Sequence, residues 1–480
     1  MKREFAINIG LLLVANLFIK AFYLLGIDRQ MQLAVGTETY GLYYSLFNIT
    51  LIFQFLNDFG IQNFTNRHVS QNRDHIKHQY KDLAGLKIAL SFLYIIALFA
   101  FIWIMDYSSE MYPLIFHLAC NQILISGIFF VRSNISGLGF YKTDSFFSVL
   151  DRIMLIILGS FLLWHPYFQS WISIDSFVWI QTISLSLTLL AALLFIKRKQ
   201  LAFSFLSVDF NEIKIILRAC LPFAMIYLFS SLYNKMDVVF IGKLLDDGNK
   251  QAGIYAASMR LYEACSMISL AFGGLLLAMF SALHNDRNKL QELFKMAMNA
   301  LVVITIIIVT ICTFYAKEII NILYHQTDSY WTDIFRLTMI AFIPGSLNYI
   351  FGALFPALHK EKNLVQFYVI ASLISFAINY WMILQWKVIG AAYTAIATQS
   401  VLLLIQFFYI QKQKLLVLNT VFLRRIMLFI FISFLLCYGI HYLSFNWIIG
   451  IILSGTGMLI LAITMKMISI KDLLSEKMKD

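Results

Sequence analysis

Charge is what this chain has least of. Asp, Glu, Lys and Arg make up 13% of its 480 residues, about half the share of an ordinary soluble domain. So few charges cannot cover a water-facing surface, which excludes both soluble globular and disordered classes. Cysteine is scarce as well. Cys120, Cys220, Cys265, Cys312 and Cys437 stand singly in or beside apolar runs, and no pair has the spacing of a metal site or a redox couple. They read as buried, inert thiols. Only five prolines interrupt the chain, so long stretches are free to be helical. Also missing is any hydrophilic loop long enough to fold by itself, so the chemistry belongs within the apolar part.

Hydrophobic residues account for 60% of the chain and the mean hydropathy is +0.77, which makes it an all-α polytopic membrane protein. A helix needs about 20 apolar residues to cross a bilayer, and about fourteen such stretches can be counted: 6–27, 39–61, 83–105, 112–131, 145–164, 176–196, 220–242, 252–280, 297–320, 333–357, 365–385, 388–410, 425–443 and 447–466. The first begins like a signal peptide, with Lys2 and Arg3 ahead of an apolar run, but Lys20 interrupts it and no small-residue cleavage site follows. It is expected to remain as a helix.

The loops test the count, because Lys and Arg collect on the cytoplasmic side. Alternate loops hold 26 of the 37 cations, and the opposite set holds only Arg29, Lys243, Lys250 and Lys387. Both termini are therefore expected in the cytoplasm. The net charge of +11 follows from this topology and calls for no nucleic-acid partner.

The longest polar link, 197–219, is expected to be an amphipathic linker on the inner membrane surface, since Asp209 and Glu212 have capping-box spacing and Phe210, Ile213, Ile216 and Leu217 share a face. It separates an N-lobe of six helices, 1–196, from a C-lobe of six more, 220–410. A final pair and a cytoplasmic tail occupy 411–480. The lobes echo each other: Thr39-Tyr40-Gly41-Leu42-Tyr43 opens the second helix of one, and Gln251-Ala252-Gly253-Ile254-Tyr255 the second helix of the other. Each is preceded by a lysine within the previous helix, Lys20 or Lys235, and by an aspartate, Asp28 or Asp237. Six helices per lobe is an even number, so the repeats are parallel, and the cleft between such lobes is the natural transport site.

Charges inside spans cost at least about 2.5–3.5 kcal/mol each and usually face a bundle interior. Lys20 either lines such an interior or snorkels to the outer interface. Lys235 and Arg260 line the cleft or pair with Asp237 and Glu263; three residues separate Arg260 from Glu263, which permits a local pair. Arg152 lies beside Asp151, but neighbours on a helix point about 100° apart, so one of the two is expected to face another helix, with Asp58 a candidate bridge for Arg152. Asp58 reads as a gating or structural position, and Asp28 and Arg29 as interfacial anchors. Arg336, Lys317 and Glu318 read as interfacial anchors, and His117 as hydrogen-bonded packing.

Fourteen spans, the basic inner loop after Asp58-Phe59-Gly60, the Gly-aliphatic-Tyr helix starts and Pro222 at the opening of the seventh span together resemble the polysaccharide-exporter branch of the multidrug/oligosaccharidyl-lipid/polysaccharide superfamily, which includes the O-antigen flippases. The resemblance covers the whole chain as a pattern and identifies no particular sugar. It implies a multi-pass protein of the bacterial cytoplasmic (inner) membrane that makes and breaks no covalent bond and carries undecaprenyl-diphosphate-linked oligosaccharide between leaflets by alternating access. The cationic cavity would then hold the diphosphate on Lys20, Lys235, Arg260 and Arg152, with Asp28, Arg29, Asp58, Asp151, Asp237 and Glu263 in gating or coupling roles. No cofactor or metal is expected. The acids permit coupling to a proton, a sodium ion or the membrane potential. A monomer working beside glycosyltransferases and a glycan polymerase is the expected setting. A drug/cation antiporter of the same superfamily is the alternative, against which stand the membrane cations and the two extra spans. A membrane glycan polymerase or ligase lacks the large outer loop such enzymes use.

Overall fold

A computed structural model describes residues 17–62, 76–198, 210–416 and 419–467. All regular structure among these residues is helical. Helix α1 covers residues 17–35, α-helical except for a π-helical stretch at Tyr23–Asp28. There follow α2 (Thr37–Asp58), α3 (Ile76–Ile104), α4 (Tyr112–Gly137), α5 (Tyr141–Trp164), α6 (Ile174–Arg198), α7 (Phe210–Leu244), α8 (Gly248–Ala282), α9 (Arg287–Phe314), the short α10 (Ala316–Tyr324), α11 (Ser329–Ala357), α12 (Glu361–Lys412), α13 (Thr420–Tyr442) and α14 (Trp447–Thr464).

Among the described residues eleven helices are long and apolar enough to cross a membrane. One of them, α12, has 52 residues, about 78 Å at 1.5 Å per residue, far more than a bilayer requires. It breaks at Trp386 and Lys387, whose backbones are not helical, and so supplies two antiparallel spans. Only glycine fits at Gly390, just past the break, because a side chain there would run into the Met382 backbone. With α1 and α2 the total is the expected set of about fourteen.

The ends differ from the sequence reading for local reasons. The first span runs on to Val35, where Gly36 at φ +87° turns the chain into α2. The ninth begins ten residues early because Asp286 caps α9 by accepting from the Lys289 N–H, and it stops at Tyr315, after which α10 is a separate turn of helix. The proposed capping box at Asp209 and Glu212, the inner-loop cations Arg67, Arg73, Lys77 and Lys81, and the C-terminal tail lie outside the described residues or side chains.

Packing divides the chain into two compact units, Met1–Ala256 and Ala257–Asp480. The first is centred on aromatic residues of α2 with neighbours from α3, α6 and α8: Tyr40, Tyr43, Tyr44, Tyr94, Phe177 and Tyr255 are all less than 2% exposed or close to it. A separate apolar cluster of the same unit joins Leu86, Phe130, Phe147, Ile196 and Cys220. Here α2 ends in left-handed turns at Phe59 and Gly60 (φ +79°), and a Cβ on Gly60 would lie 2.8 Å from both the Cys220 carbonyl oxygen and Phe223 Cβ. Glycine lets the end of α2 sit directly on α7 at Cys220–Ala224. The second unit is built on Phe280, Phe294, Phe335, Phe342, Phe351 and Phe355. Its polar contacts are hydroxyl and amide pairs, among them Ser346 with both Ser269 and Thr305 (2.9 and 2.7 Å) and Asn348 with Gln399 (2.8 Å). In lipid such bonds and close fit, rather than water exclusion, hold helices together.

Candidate functional site

The π stretch of α1 decides what faces the interior of the first unit. Widening the helix by one residue per turn turns Tyr23, Ile27 and Asp28 inward, leaving Asp28 fully buried, and π segments of this kind cluster at functional positions. The Asp28 carboxylate accepts from Tyr40 Oη of α2 at 2.7 Å. One to two turns earlier, Tyr23 presents its ring to Arg152 of α5, with the guanidinium carbon 4.7 Å from the centroid, a cation–π distance. Asp151 Oδ2 stands 3.4 Å from Arg152 Nε. Lys20, partly buried in α1, lies in the field of Arg152, Arg132 and Asp151. Three cations from α1, α4 and α5 therefore share one region of the first unit, against the acids Asp151 and Asp144, the latter held by Arg132 at 2.8 Å.

Arg132 was expected in an inner loop. It instead occupies the last turns of α4, half-buried, because the helix runs six residues past the apolar stretch to Gly137. Asp58 was a candidate bridge for Arg152. The structure corrects this: Asp58 pairs at 3.0 Å with Lys87 of α3, a residue the sequence reading passed over, and Arg152 turns to Tyr23 and Asp151. The pair is part of a polar seam in which Ser91 donates to Asn57 Oδ1 (2.9 Å) and Asn57 donates to the Gln122 carbonyl (3.1 Å), joining α2, α3 and α4. The seam has a charged pair at one end and amides along the rest.

The seventh and eighth spans repeat the device of the first two. Buried Asp237 of α7 accepts a hydrogen bond from Tyr255 of α8 and, through its other oxygen, one from the Val238 N–H at 2.8 Å. With Gly41 aligned to Gly253, Asp237 and Tyr255 each lie three residues deeper than Asp28 and Tyr40. The same acid–tyrosine clasp thus recurs one helical turn further in. Lys235 is half-buried two residues before Asp237 and acts on it electrostatically. Arg29 follows Asp28 into the α-helical part of α1 and is half-buried.

In the second unit Arg260 is 5% exposed and its Nη1 donates to Glu263 Oε2 at 2.9 Å, the local i, i+3 pair that spacing permits. His117 of α4 bonds Thr182 of α6 at 2.8 Å, as packing requires. Arg336 meets Asp333 at 3.1 Å and the Thr313 carbonyl, so it ties α11 to the end of α9. The site residues of the first unit, Lys20, Asp28, Arg152, Asp151, Lys235 and Asp237, come from three helices, α1, α5 and α7, and no short motif links them. Tyr23, Tyr40 and Arg132 are the members that sequence reasoning missed; the spacing of Tyr40 just before the repeated glycine was the one available signal. Among the described residues no group of His, Cys, Asp and Glu is arranged to hold a metal ion.

The fold is similar to those of several solved transporters. Lipid II flippase MurJ in an inward closed conformation superposes with a TM-score of 0.74 at 15% identity, over 97% of this chain and 100% of that one. An inward-facing multidrug resistance MATE family transporter of the MOP superfamily gives 0.65 at 13%, over 84% and 98%. A MOP superfamily transporter from Pyrococcus furiosus, described as having a binding pocket of reverse polarity, gives 0.56 at 13%, over 85% and 93%. These likenesses establish the fold. No curated protein sequence matches the chain. A family model described as polysaccharide biosynthesis protein matches residues 8–284, more than half of the chain, and on that match the protein belongs to the polysaccharide biosynthesis protein family.

Proposed function

We propose that this protein is a flippase that moves an undecaprenyl-diphosphate-linked oligosaccharide, the repeat unit of an O-antigen or another surface polysaccharide, from the inner to the outer leaflet of the cytoplasmic membrane. The observation that carries the reading is the gathering of Lys20, Arg132 and Arg152 on three apolar helices of the first unit. Asp144 and Asp151 offset two of these three cations, which leaves the region with net positive charge among apolar helices, and a diphosphate answers that charge. Arg152 has the planar fork suited to phosphate oxygens, and Tyr23 holds it in place by its ring face. Attraction between unit charges about 4 Å apart is worth about 4 kcal/mol at an effective dielectric near 20, several times its value in water. The lipid tail stays in the bilayer while only the sugar head passes through, so no covalent bond is made or broken.

Lys235 and Arg260 complete the cationic set in this reading, although Arg260 is already engaged by Glu263 and contributes less than Lys20 and Arg152. Transport draws on a proton, a sodium ion or the membrane potential, with Asp28 and Asp237 as the coupling candidates because each is a buried carboxylate that accepts a hydrogen bond from a tyrosine of the next helix. A monomer suffices; glycosyltransferases supply its substrate and a polymerase consumes it. Deleting the gene tests the assignment: lipid-linked sugar should accumulate on the inner leaflet. Normal glycan export combined with altered resistance to organic cations would overturn it in favour of the antiporter reading that the MATE-like fold offers.

A further inference from the structure

Two acids, two turns apart on α5, each hold an arginine. Asp144 lies in the first turn of that helix, where the positive end of the helix dipole favours a carboxylate. Gly139 at φ +91° turns the chain between α4 and α5, and Arg132 of α4 meets Asp144 across that turn, its Nε donating to Oδ1 at 2.8 Å. Asp151 follows seven residues later on the same face, with its Oδ2 3.4 Å from Arg152 Nε. At 1.5 Å per residue the second acid stands about 10 Å further along the helix. In both pairs the acid meets the guanidinium through Nε. The edge that carries the two Nη groups makes no hydrogen bond among the described residues, and this is the edge that can take phosphate oxygens two at a time. Neither side chain is closed off: that of Arg132 is 18% exposed and that of Arg152 30%. Lys20 of α1 lies in the field of both.

One diphosphate cannot occupy both pairs. Its two phosphorus atoms share a single bridging oxygen, whereas each guanidinium is tethered to its own acid, two turns from the other. By the loop-charge bias α5 starts at the inner surface, so a phosphoryl group at the level of the inner headgroups reaches Arg132 first. Arg152 stands further in, braced by the Tyr23 ring. We infer that the first unit holds two phosphoryl stations in series, an entry station at Arg132 and a deeper one at Arg152, with Lys20 the cation that draws the group from one to the other. Staging of this kind keeps the anion beside a fixed cation at each step, at the short range where Coulomb attraction is strongest. Asp144 and Asp151 are positioning residues: they hold each guanidinium from behind and leave its fork for the ligand. The proposal rests on the transport reading above and adds to it the place where the head group waits before it crosses.

Binding separates two stations from one shared site. The full-length protein in detergent is titrated with fluorescently tagged undecaprenyl-diphosphate-N-acetylglucosamine, and separately with inorganic pyrophosphate, using variants that elute and melt as the parent does. With two stations, Arg132→Gln and Arg152→Gln each leave the other in place. Each single variant is then expected to bind within about threefold of the parent, and the double variant at least about tenfold more weakly. A single substitution that matches the double would overturn the proposal, as would a double variant that binds like the parent. In proteoliposomes the order of the stations is read from initial flipping rates over a range of probe mole fraction. Arg132→Gln is expected to raise the half-saturating fraction at least about fivefold, and Arg152→Gln to lower the maximal rate at least about tenfold; the reverse assignment, or the same change from both, would refute the series. If Arg132→Gln does not fold, Arg132→Lys keeps the charge, loses the fork and carries the same expectation. A parent protein that binds pyrophosphate in this pattern but neither binds nor flips the lipid-linked probe would keep the stations and remove the substrate reading.

Discussion

Removing either member of the Asp58–Lys87 pair should destabilise the protein, but unequally. The side chain of Lys87 is 8% exposed and that of Asp58 is 19% exposed, and the two meet at 3.0 Å between α2 and α3. Breaking a buried pair from one side costs about 3–5 kcal/mol, mostly because the remaining charge is stranded without water. Asp58→Asn strands the more deeply buried ammonium and is expected to lie within that range. Lys87→Met leaves a carboxylate that still reaches polar surroundings, and falls at or below its lower end. The double variant removes both charges, so its loss should be smaller than that of Asp58→Asn alone, which is strong non-additivity. If the loss falls on the barrier to unfolding, about 3 kcal/mol shortens the half-life of the folded state roughly a hundredfold. The half-life of monodisperse protein in detergent at fixed elevated temperature measures this directly. Additive losses, or a Lys87→Met variant less stable than Asp58→Asn, would refute the assignment of the pair as a lock between the two helices. The double variant should also keep glycan export, because the pair lies outside the proposed diphosphate site.

Arg152→Gln should cut glycan export at least tenfold with protein levels unchanged, and Arg152→Lys should recover part of it, since a lysine keeps the charge and the Tyr23 contact but not the fork; equal export by Gln and Lys variants, measured on surface-glycan gels, would count against a phosphate role. Gly60→Ala combines a left-handed backbone with a Cβ only 2.8 Å from the Cys220 carbonyl oxygen and Phe223 Cβ; a loss of at least about 1–3 kcal/mol is expected from the backbone alone, read as a lower melting temperature. Gly274→Ala, where a Cβ meets nothing within 4 Å, is the matched control and should melt as the parent does.

Hydropathy and the loop charges were enough to read the fold class, because in lipid every backbone polar group must be paired within its own segment and helices are the response. Every span counted in the sequence falls on a helix wherever residues are described. The i, i+3 pair Arg260–Glu263 was legible for the same reason: its partners are set by the pitch of one helix. The Gly-Leu-Tyr and Gly-Ile-Tyr starts revealed a repeat, but not that its two glycines meet.

Partners that lie on different helices were another matter. Asp58 had several cations within reach along the chain, and its choice of Lys87 depends on how α3 is rotated against α2, which apolar residues on every side of α3 do not specify. Arg152 found an aromatic face only because a π stretch in α1 turned Tyr23 inward, and no residue type announces such a stretch. What the sequence by itself determined is therefore everything governed by the solvent and by a single helix: the class, the spans, the sidedness expected of the loops, the local ion pair. What only the tertiary structure decided is which buried charges meet, because rotation and register between helices are chosen by close packing of whole surfaces, and a linear pattern does not contain them.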